Sequence, residues 1–80
     1  MDEVQHVREA APPNEVIDIA RSDAAKDPKI APFLPNMRVI TSEEKGHWTV
    51  NFARKDVYGG GVVYKIEKGT TRIVSKLYTQ

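Results

Sequence analysis

The sequence contains no cysteine, and it is poor in the other residues that build metal centres. Without cysteine the chain has no disulfide, no thiolate nucleophile and no cysteine-ligated zinc site. Its two histidines, His6 and His47, lie 41 positions apart, and no carboxylate stands at metal-ligand spacing from either. We therefore expect no metal and no cofactor in this protein.

Membrane-spanning and export signals are also missing from the sequence. No apolar run approaches the roughly 20 residues that a spanning helix needs. The first residues, Met1–His6, are polar and acidic, so no signal peptide is visible. The sequence predicts no membrane span, and it leaves the cytoplasm and the periplasm open as compartments.

Common catalytic patterns are missing as well. The adjacent carboxylates Glu43 and Glu44 would point apart on a tight turn, whereas an acid–base pair needs carboxyl groups that converge. None of the serines lies in a nucleophile-elbow pattern. The triplet Gly59–Gly61 is not followed by the lysine of a phosphate-binding loop, and a strand follows where such a loop requires a helix. The sequence therefore predicts a protein that is not an enzyme.

What is present is the composition of one small globular domain. The chain has 80 residues, of which 40 % are hydrophobic and 29 % charged. A chain of this length buries roughly 60 % of its unfolded surface, which is near the lower limit for folding alone. Residues 1–12 show no clean period, and two adjacent prolines, Pro12 and Pro13, close this segment. Both features are typical of a flexible arm. Residues 13–80 are predicted to form a single α+β domain.

This domain is predicted to consist of one main N-terminal helix packed on a four-stranded antiparallel β-meander. Asn14 is a candidate N-cap, and an apolar stripe at helical spacing follows it until the chain approaches Pro28. Phe33 and Leu34 of the next segment are predicted to pack on the core. The predicted strands cover residues 37–41, 47–53, 62–66 and 72–78.

The register of the last hairpin is predicted from the turn at Lys68–Gly69. A two-residue loop is possible, but a four-residue loop, which pairs Glu67 with Arg72, is preferred because it matches opposite charges and aliphatic pairs. This loop would place Val62 opposite Leu77. The predicted buried face consists of Trp48, Val50, Phe52, Val62, Tyr64, Ile66, Ile73 and Leu77.

Charge is spread unevenly along the chain. Residues 1–44 carry five basic and nine acidic groups, whereas residues 45–80 carry seven basic and two acidic groups. The two halves can neutralise each other within the fold, or the basic half can present an interaction face. The outer face of the last hairpin is predicted to carry Lys65, Lys76 and Arg72, with Val63, Val74 and Tyr78 between them. Such a face suits an acidic protein, a second copy of the chain or, less well, single-stranded nucleic acid.

The triplet Gly59–Gly61 is interpreted as a backbone device. Glycine permits positive φ angles and the close approach of another chain segment. The triplet would let the chain turn from the second strand into the third and leave a bare backbone edge beside Tyr58. Asp56, Tyr58, Gly59 and Gly60 are therefore candidate partner-binding residues.

Several short motifs give the chain a resemblance to known families. These motifs are Ile19–Ala20, Trp48–Val50, Gly59–Gly61, Ile66 with the Lys68–Gly69 turn, and Thr79–Gln80. In them the chain resembles bacterial immunity proteins that have a nuclear-transport-factor-like, or cystatin-like, fold. It departs from their pattern at Val62, where a turn residue is expected, and at Glu67–Gly69, which replaces an Asp-x-x-Thr-Gly turn. A helix followed by a Trp-x-Val strand and a hairpin also resembles PepSY-type propeptide domains.

Both resemblances imply a non-catalytic domain that binds another protein, such as a toxin or a peptidase. The expected function is that of an immunity or inhibitor protein that neutralises its partner by occlusion. The predicted partner-binding residues are Asp56, Tyr58, Gly59, Gly60, Lys65, Arg72, Lys76 and Tyr78. The alternatives are a small-molecule pocket between helix and sheet, as larger proteins of this fold contain, and a weak nucleic-acid-binding sheet face.

Overall fold

A computed structural model describes residues 13–80, which form one α-helix and a four-stranded antiparallel sheet. The elements in chain order are α1 (Pro13–Ala25), a 3-10 helix (Ala31–Asn36), β1 (Met37–Glu44), β2 (His47–Arg54), β3 (Val62–Glu67) and β4 (Ile73–Tyr78). The strands lie side by side in chain order. The predicted α+β architecture is thus confirmed, while the arm predicted at 1–12 lies outside the described residues.

Helix α1 forms where apolar residues recur at every turn and face the sheet. Its buried residues are Val16, Ala20 and Ala24. Pro13 lies in the first turn, where its missing N–H costs no hydrogen bond, so the N-cap predicted at Asn14 is wrong. The helix ends before Pro28, as predicted, because the residue preceding proline disfavours the helical conformation.

The segment between α1 and β1 is organised by Asp27. The backbone carbonyl of Asp27 accepts a hydrogen bond from the N–H of Ile30 at 3.0 Å, and its Oδ1 accepts one from the N–H of Lys29 at 2.9 Å. This turn directs Ile30 into the core. In the 3-10 helix that follows, Leu34 packs against the core as predicted, whereas Phe33 stays half exposed.

The pleat gives the sheet an inner face, covered by α1, and an outer face. The register places Val39, Phe52, Val62 and Tyr78 directly opposite one another across the four strands, and therefore on one face. The buried core consists of Val16, Ala20, Ala24, Ile30, Met37, Val50, Phe52, Val62, Tyr64 and Ile66. Each fully buried aliphatic or aromatic side chain contributes about 1.5–3 kcal/mol to folding, so this layer carries most of the stability.

Strand β1 is longer than predicted and continues to Glu44. Its last residue pairs with His47 across a turn of only two residues, Lys45 and Gly46. Gly46 has a φ of 86°, which glycine adopts without the steric penalty of a side chain. The turn at Lys45–Gly46 was therefore predicted correctly. Residues 42–44, which were predicted to belong to the turn, remain extended because they pair with β2.

The turn between β3 and β4 has the four-residue loop that the sequence favours. The N–H of Glu67 donates to the carbonyl of Arg72 at 2.8 Å, and Ile66 lies opposite Ile73. Immediately afterwards the register shifts, because Val74 is an extra residue on β4. Such a β-bulge turns the following side chains to the opposite face.

The bulge makes the predicted alternation of β4 wrong. Leu77, predicted to be buried, lies on the outer face and is 62 % exposed, and Ile73 at the end of the sheet is 37 % exposed. Lys76 and Tyr78, predicted on the outer face, lie on the inner face beside α1. The side chain of Val74 gives no sign of a bulge. The sequence-based prediction therefore continued the alternation of inward and outward side chains through this residue.

Candidate functional site

The triplet Gly59–Gly61 packs against the residues that follow β4. The N–H of Gly60 donates to the carbonyl of Thr79 at 3.0 Å, and the N–H of Gly61 donates to Thr79 Oγ1 at 2.8 Å. A Cβ on Gly61 would lie 2.2 Å from the carbonyl oxygen of Phe52, and one on Gly59 would lie 2.0 Å from the backbone of Gln80. Only glycine allows backbones to approach this closely.

The triplet is therefore a backbone device, but the edge expected to be bare is occupied within the chain. Thr79 pairs with Gly60 and Gly61, so these groups are not offered to a partner along that edge. What the segment presents to solvent is the side chain of Tyr58, which is fully exposed, together with that of Asp56. Gly59 and Gly60 shape this loop through positive φ angles of 77° and 72°.

Lys76 and Tyr78 belong to a polar network that ties β4 to α1. Lys76 Nζ lies 2.9 Å from Asp23 Oδ2 and 2.8 Å from Asp27 Oδ2. Tyr64 Oη donates to Asp23 Oδ2 at 2.8 Å, and Tyr78 Oη donates to Asp27 Oδ2 at 2.6 Å. One ammonium, two carboxylates and two phenols thus satisfy one another at the edge of the core.

The network shifts the pKa of each member away from neutrality. Lys76 first, and then the Tyr78 hydroxyl, lower the pKa of Asp27 to about 2, and Lys76 with Tyr64 lowers the pKa of Asp23. The two carboxylates raise the pKa of Lys76. Burial, followed by the bond to Asp23, raises the pKa of Tyr64, and the bond to Asp27 raises that of Tyr78. None of these groups is poised to exchange a proton at neutral pH, so the network fastens the helix to the sheet.

The basic cluster predicted on the outer face is not assembled. Lys65 does lie there, opposite Thr49 and Ser75. Arg72 lies at the end of the sheet, with Nη2 3.7 Å from Glu67 Oε1. Since Lys76 faces α1, Lys65 is left as the single member of the predicted trio on the outer face.

The outer face is instead marked by a row of side chains that crosses all four strands. In register across the sheet lie Ile40, Asn51, Val63 and Leu77. Ile40 and Leu77 are 49 % and 62 % exposed. Asn51 Oδ1, in the middle of the row, is buried and accepts no hydrogen bond from the residues that the structure describes. Buried polar atoms are usually paired, and a contiguous patch of exposed aliphatic side chains can mark a surface that another molecule covers.

The loop of residues 55–61 stands between two hollows at one end of the sheet. The first, of about 380 Å³, is lined by Arg38, Arg54, Lys55, Asp56, Val57 and Tyr58. The second, of about 240 Å³, is lined by Asn51, Ala53, Arg54, Val57, Tyr58, Gly59 and Thr79. Val57 and Tyr58 border both hollows, so one loop connects the outer face with a basic surface.

The three basic residues of the first hollow were missed by sequence reasoning, as was Val57. The consecutive pair Arg54–Lys55, directly after a strong strand, was a usable signal for two of them. Arg38 gives no such signal, since it joins the others only because the register places it opposite Ala53. The sequence alone therefore could not assemble this cluster.

Other parts of the described chain offer less for chemistry. A hollow of about 360 Å³, open to solvent, lies between α1 and the 3-10 helix and is lined by Arg21, Ala25, Ala31, Leu34 and Pro35. Within residues 13–80 no group of three or more histidine, aspartate or glutamate side chains lies close enough to hold a metal ion. No helix in that range is both long and apolar enough to cross a membrane.

Comparison of the chain with models of known protein families, with curated proteins and with solved structures finds no match. The class that the structure defines is an α+β domain of one helix on a four-stranded antiparallel sheet. The resemblances to immunity proteins and to PepSY-type domains stay predictions.

Proposed function

We propose that this domain is a non-catalytic protein-binding module of the immunity or inhibitor type, which neutralises a partner protein by occlusion. The observation that carries the proposal is the outer sheet face, which no element within residues 13–80 covers. Exposed Ile40 and Leu77 would lose water-accessible apolar surface on binding, which is the main favourable contribution to association.

The loop at the border of this face adds a residue of the type that dominates binding energy. Tyr58 is fully exposed and stands beside Arg54. Tyrosine and arginine are enriched among the few interface residues that account for most of the affinity. The proposed surface therefore comprises the outer sheet face, including Lys65, and the loop with Asp56 and Tyr58.

The inner face supports this surface by holding the sheet in one conformation. The network around Lys76 joins β3 and β4 to α1, and the core between them is fully buried. A binding surface that is already ordered loses little conformational entropy when a partner docks. In this proposal Lys76 and Tyr78 do not contact the partner, and they stabilise the sheet from its inner face.

Site-specific photo-crosslinking tests this function. A photoreactive phenylalanine analogue replaces Leu77 on the outer face or, as a control, Ser22, which is exposed on α1. In native cells we expect a discrete protein adduct from position 77 and none from position 22. The captured protein, once identified, should lose its own activity as the domain is added, with full inhibition near equal stoichiometry.

Three outcomes would contradict the proposal. They are the absence of any adduct at position 77, the same adducts from both positions, and a captured partner whose activity the domain leaves unchanged. Leu77→Asp supplies an independent measurement, because it should weaken binding at least tenfold while changing the free energy of unfolding by less than about 0.5 kcal/mol.

A further inference from the structure

The two ends of the sheet differ in how their charges are paired. At the end that holds the two hairpin turns, Lys68 Nζ lies 2.7 Å from Glu43 Oε2 and Arg72 Nη2 lies 3.7 Å from Glu67 Oε1, and only the exposed Lys45 has no described carboxylate beside it. At the opposite end, Arg38 and Lys55 form no ion pair with any described residue. Like charges that stay close together without a counter-charge are unfavourable, so an anion would stabilise this end.

Arg54 is held in position between these two cations. Its guanidinium carbon lies 4.4 Å from the centre of the Phe33 ring, and its stem would be only 3.0 Å from a Cβ on Gly60. The cation–π contact with the ring restricts the guanidinium, and the glycine leaves room for the stem. An arginine ordered in advance loses little side-chain entropy when it binds a carboxylate, and its fork can bind both oxygens.

The carboxylate already present does not close the site. Asp56 Oδ2 lies 3.5 Å from Arg54 Nη2, which is a long contact, and the Asp56 side chain is 70 % exposed. Exposed pairs of this kind contribute little, so a second carboxylate can enter beside it or replace it. The surface lined by Arg38, Arg54 and Lys55 is called the basic hollow below.

We infer that the basic hollow receives an acidic segment of the partner protein. The inference rests on the proposed function and names the chemistry that the partner presents at this part of the surface. Carboxylates of the segment lie against the three cations. The chain of the segment then passes Tyr58 into the second hollow, which Asn51 and Thr79 line.

An acidic peptide fits the basic hollow better than nucleic acid does. Nucleic acid binding needs a line of cations along the phosphates and several aromatic rings on which bases stack. Here three cations line one short hollow. The rings of Tyr64 and Tyr78 face α1, which leaves Tyr58 as the one fully exposed ring among residues 13–80.

The test is an NMR titration of the full 15N-labelled chain with an acetylated hexaglutamate peptide at about 20 mM salt. Amide shifts are expected at Arg38 and at residues 53–58. Lys55→Glu should weaken binding roughly fivefold or more, because it reverses a charge within the hollow. The matched control is Lys45→Glu, the same substitution at the exposed β1–β2 turn, and it should change the affinity less than about twofold.

Several results would overturn the inference. They are equal weakening by both substitutions, shifts that map elsewhere, absence of binding, and tighter binding of a hexathymidylate in the same hollow, which would assign the site to nucleic acid. The crosslinking experiment separates this failure from that of the proposed function. If Lys55→Glu leaves crosslinking at position 77 and inhibition of the partner unchanged, the acidic-segment inference is wrong and the proposed function stands.

Discussion

The two faces of the sheet differ in how far their side chains are buried. On the inner face Val50, Phe52 and Val62 are fully buried, and Lys76 lies within 3 Å of two carboxylates. On the outer face Leu77 is largely exposed. Each face holds one buried polar atom without a partner among the described residues, Trp48 Nε1 on the inner face and Asn51 Oδ1 on the outer face. The difference teaches that the interactions of the inner face hold the fold together and leave the outer face free to bind.

The charges of the chain follow the same division. The acidic first half and the basic second half partly neutralise each other through Lys76 with Asp23 and Asp27, and through Lys68 with Glu43. Arg38 and Lys55, which form no ion pair with a described residue, line one hollow beside the loop of residues 55–61. The ion pairs between the halves support neutralisation within the fold, and the basic interaction face stays a prediction.

The largest expected effect lies at the start of β3. Gly61→Ala would place a Cβ 2.2 Å from the carbonyl oxygen of Phe52, so β2 and β3 must move apart. We expect the free energy of unfolding to fall by about 3 kcal/mol or more. Gly46→Ala is the control, because a Cβ there meets nothing within 4 Å and only its positive φ costs about 1 kcal/mol. Urea denaturation measures both, and equal losses would contradict the close approach.

The next effect compares a lysine on each face directly. Lys76→Met removes the cation from between Asp23 and Asp27, and the Asp27 side chain is only 7 % exposed. Since a carboxylate left without its counter-charge is unfavourable, we expect a loss of about 2 kcal/mol. Lys65→Met on the outer face should stay within about 0.5 kcal/mol. Similar losses in the two variants, measured by urea denaturation, would break the comparison between the faces.

The smallest effect is the pH dependence of the inner-face network. The pKa of Asp27 is about 2 in the folded chain against an ordinary 3.8, so its contribution is present above about pH 4 and lost as the pH falls towards 2. The pKa of Lys76 is raised above its ordinary 10.5 in the folded chain. The contribution of Lys76 to the free energy of unfolding is therefore complete below about pH 10.5 and is lost as the pH rises further. Melting temperatures from circular dichroism should therefore form a plateau that falls on both sides.

Asp27→Asn provides the check on this dependence. The substitution removes the carboxylate whose protonation weakens the network, so the acid side of the plateau should flatten relative to the unchanged chain. The alkaline fall should persist, because Lys76 still meets Asp23. An acid side that stays as steep as before would show that Asp27 does not govern it.

Much of the fold was predictable because its signals are local. Residues such as Val16 and Ala20 recur at the period of a helix, and Trp48, Val50 and Phe52 alternate at the period of a strand. The loop that pairs Glu67 with Arg72 was also predicted, because opposite charges select it. Each of these features needs only a few neighbouring residues to be specified.

The candidate site was less predictable because it depends on register. The exposure of Tyr58 was predicted from its place beside the glycines. The backbone edge of Gly60 was predicted to be bare, but it is paired with Thr79, which lies 19 positions later in the chain. The unpaired Asn51 Oδ1 is visible only once Ile40 and Val63 lie on either side of it. No pattern within one strand contains this information.

The sequence by itself determined the order and kind of the elements, because hydrophobic spacing and turn residues act over a few positions. Only the tertiary structure decided which face each part of β4 occupies, because one extra residue at Val74 exchanges the two faces for everything after it. That exchange sends Lys76 and Tyr78 to α1 and Leu77 to solvent. The physical reason is that the network with Asp23 and Asp27 forms only between elements distant in the chain.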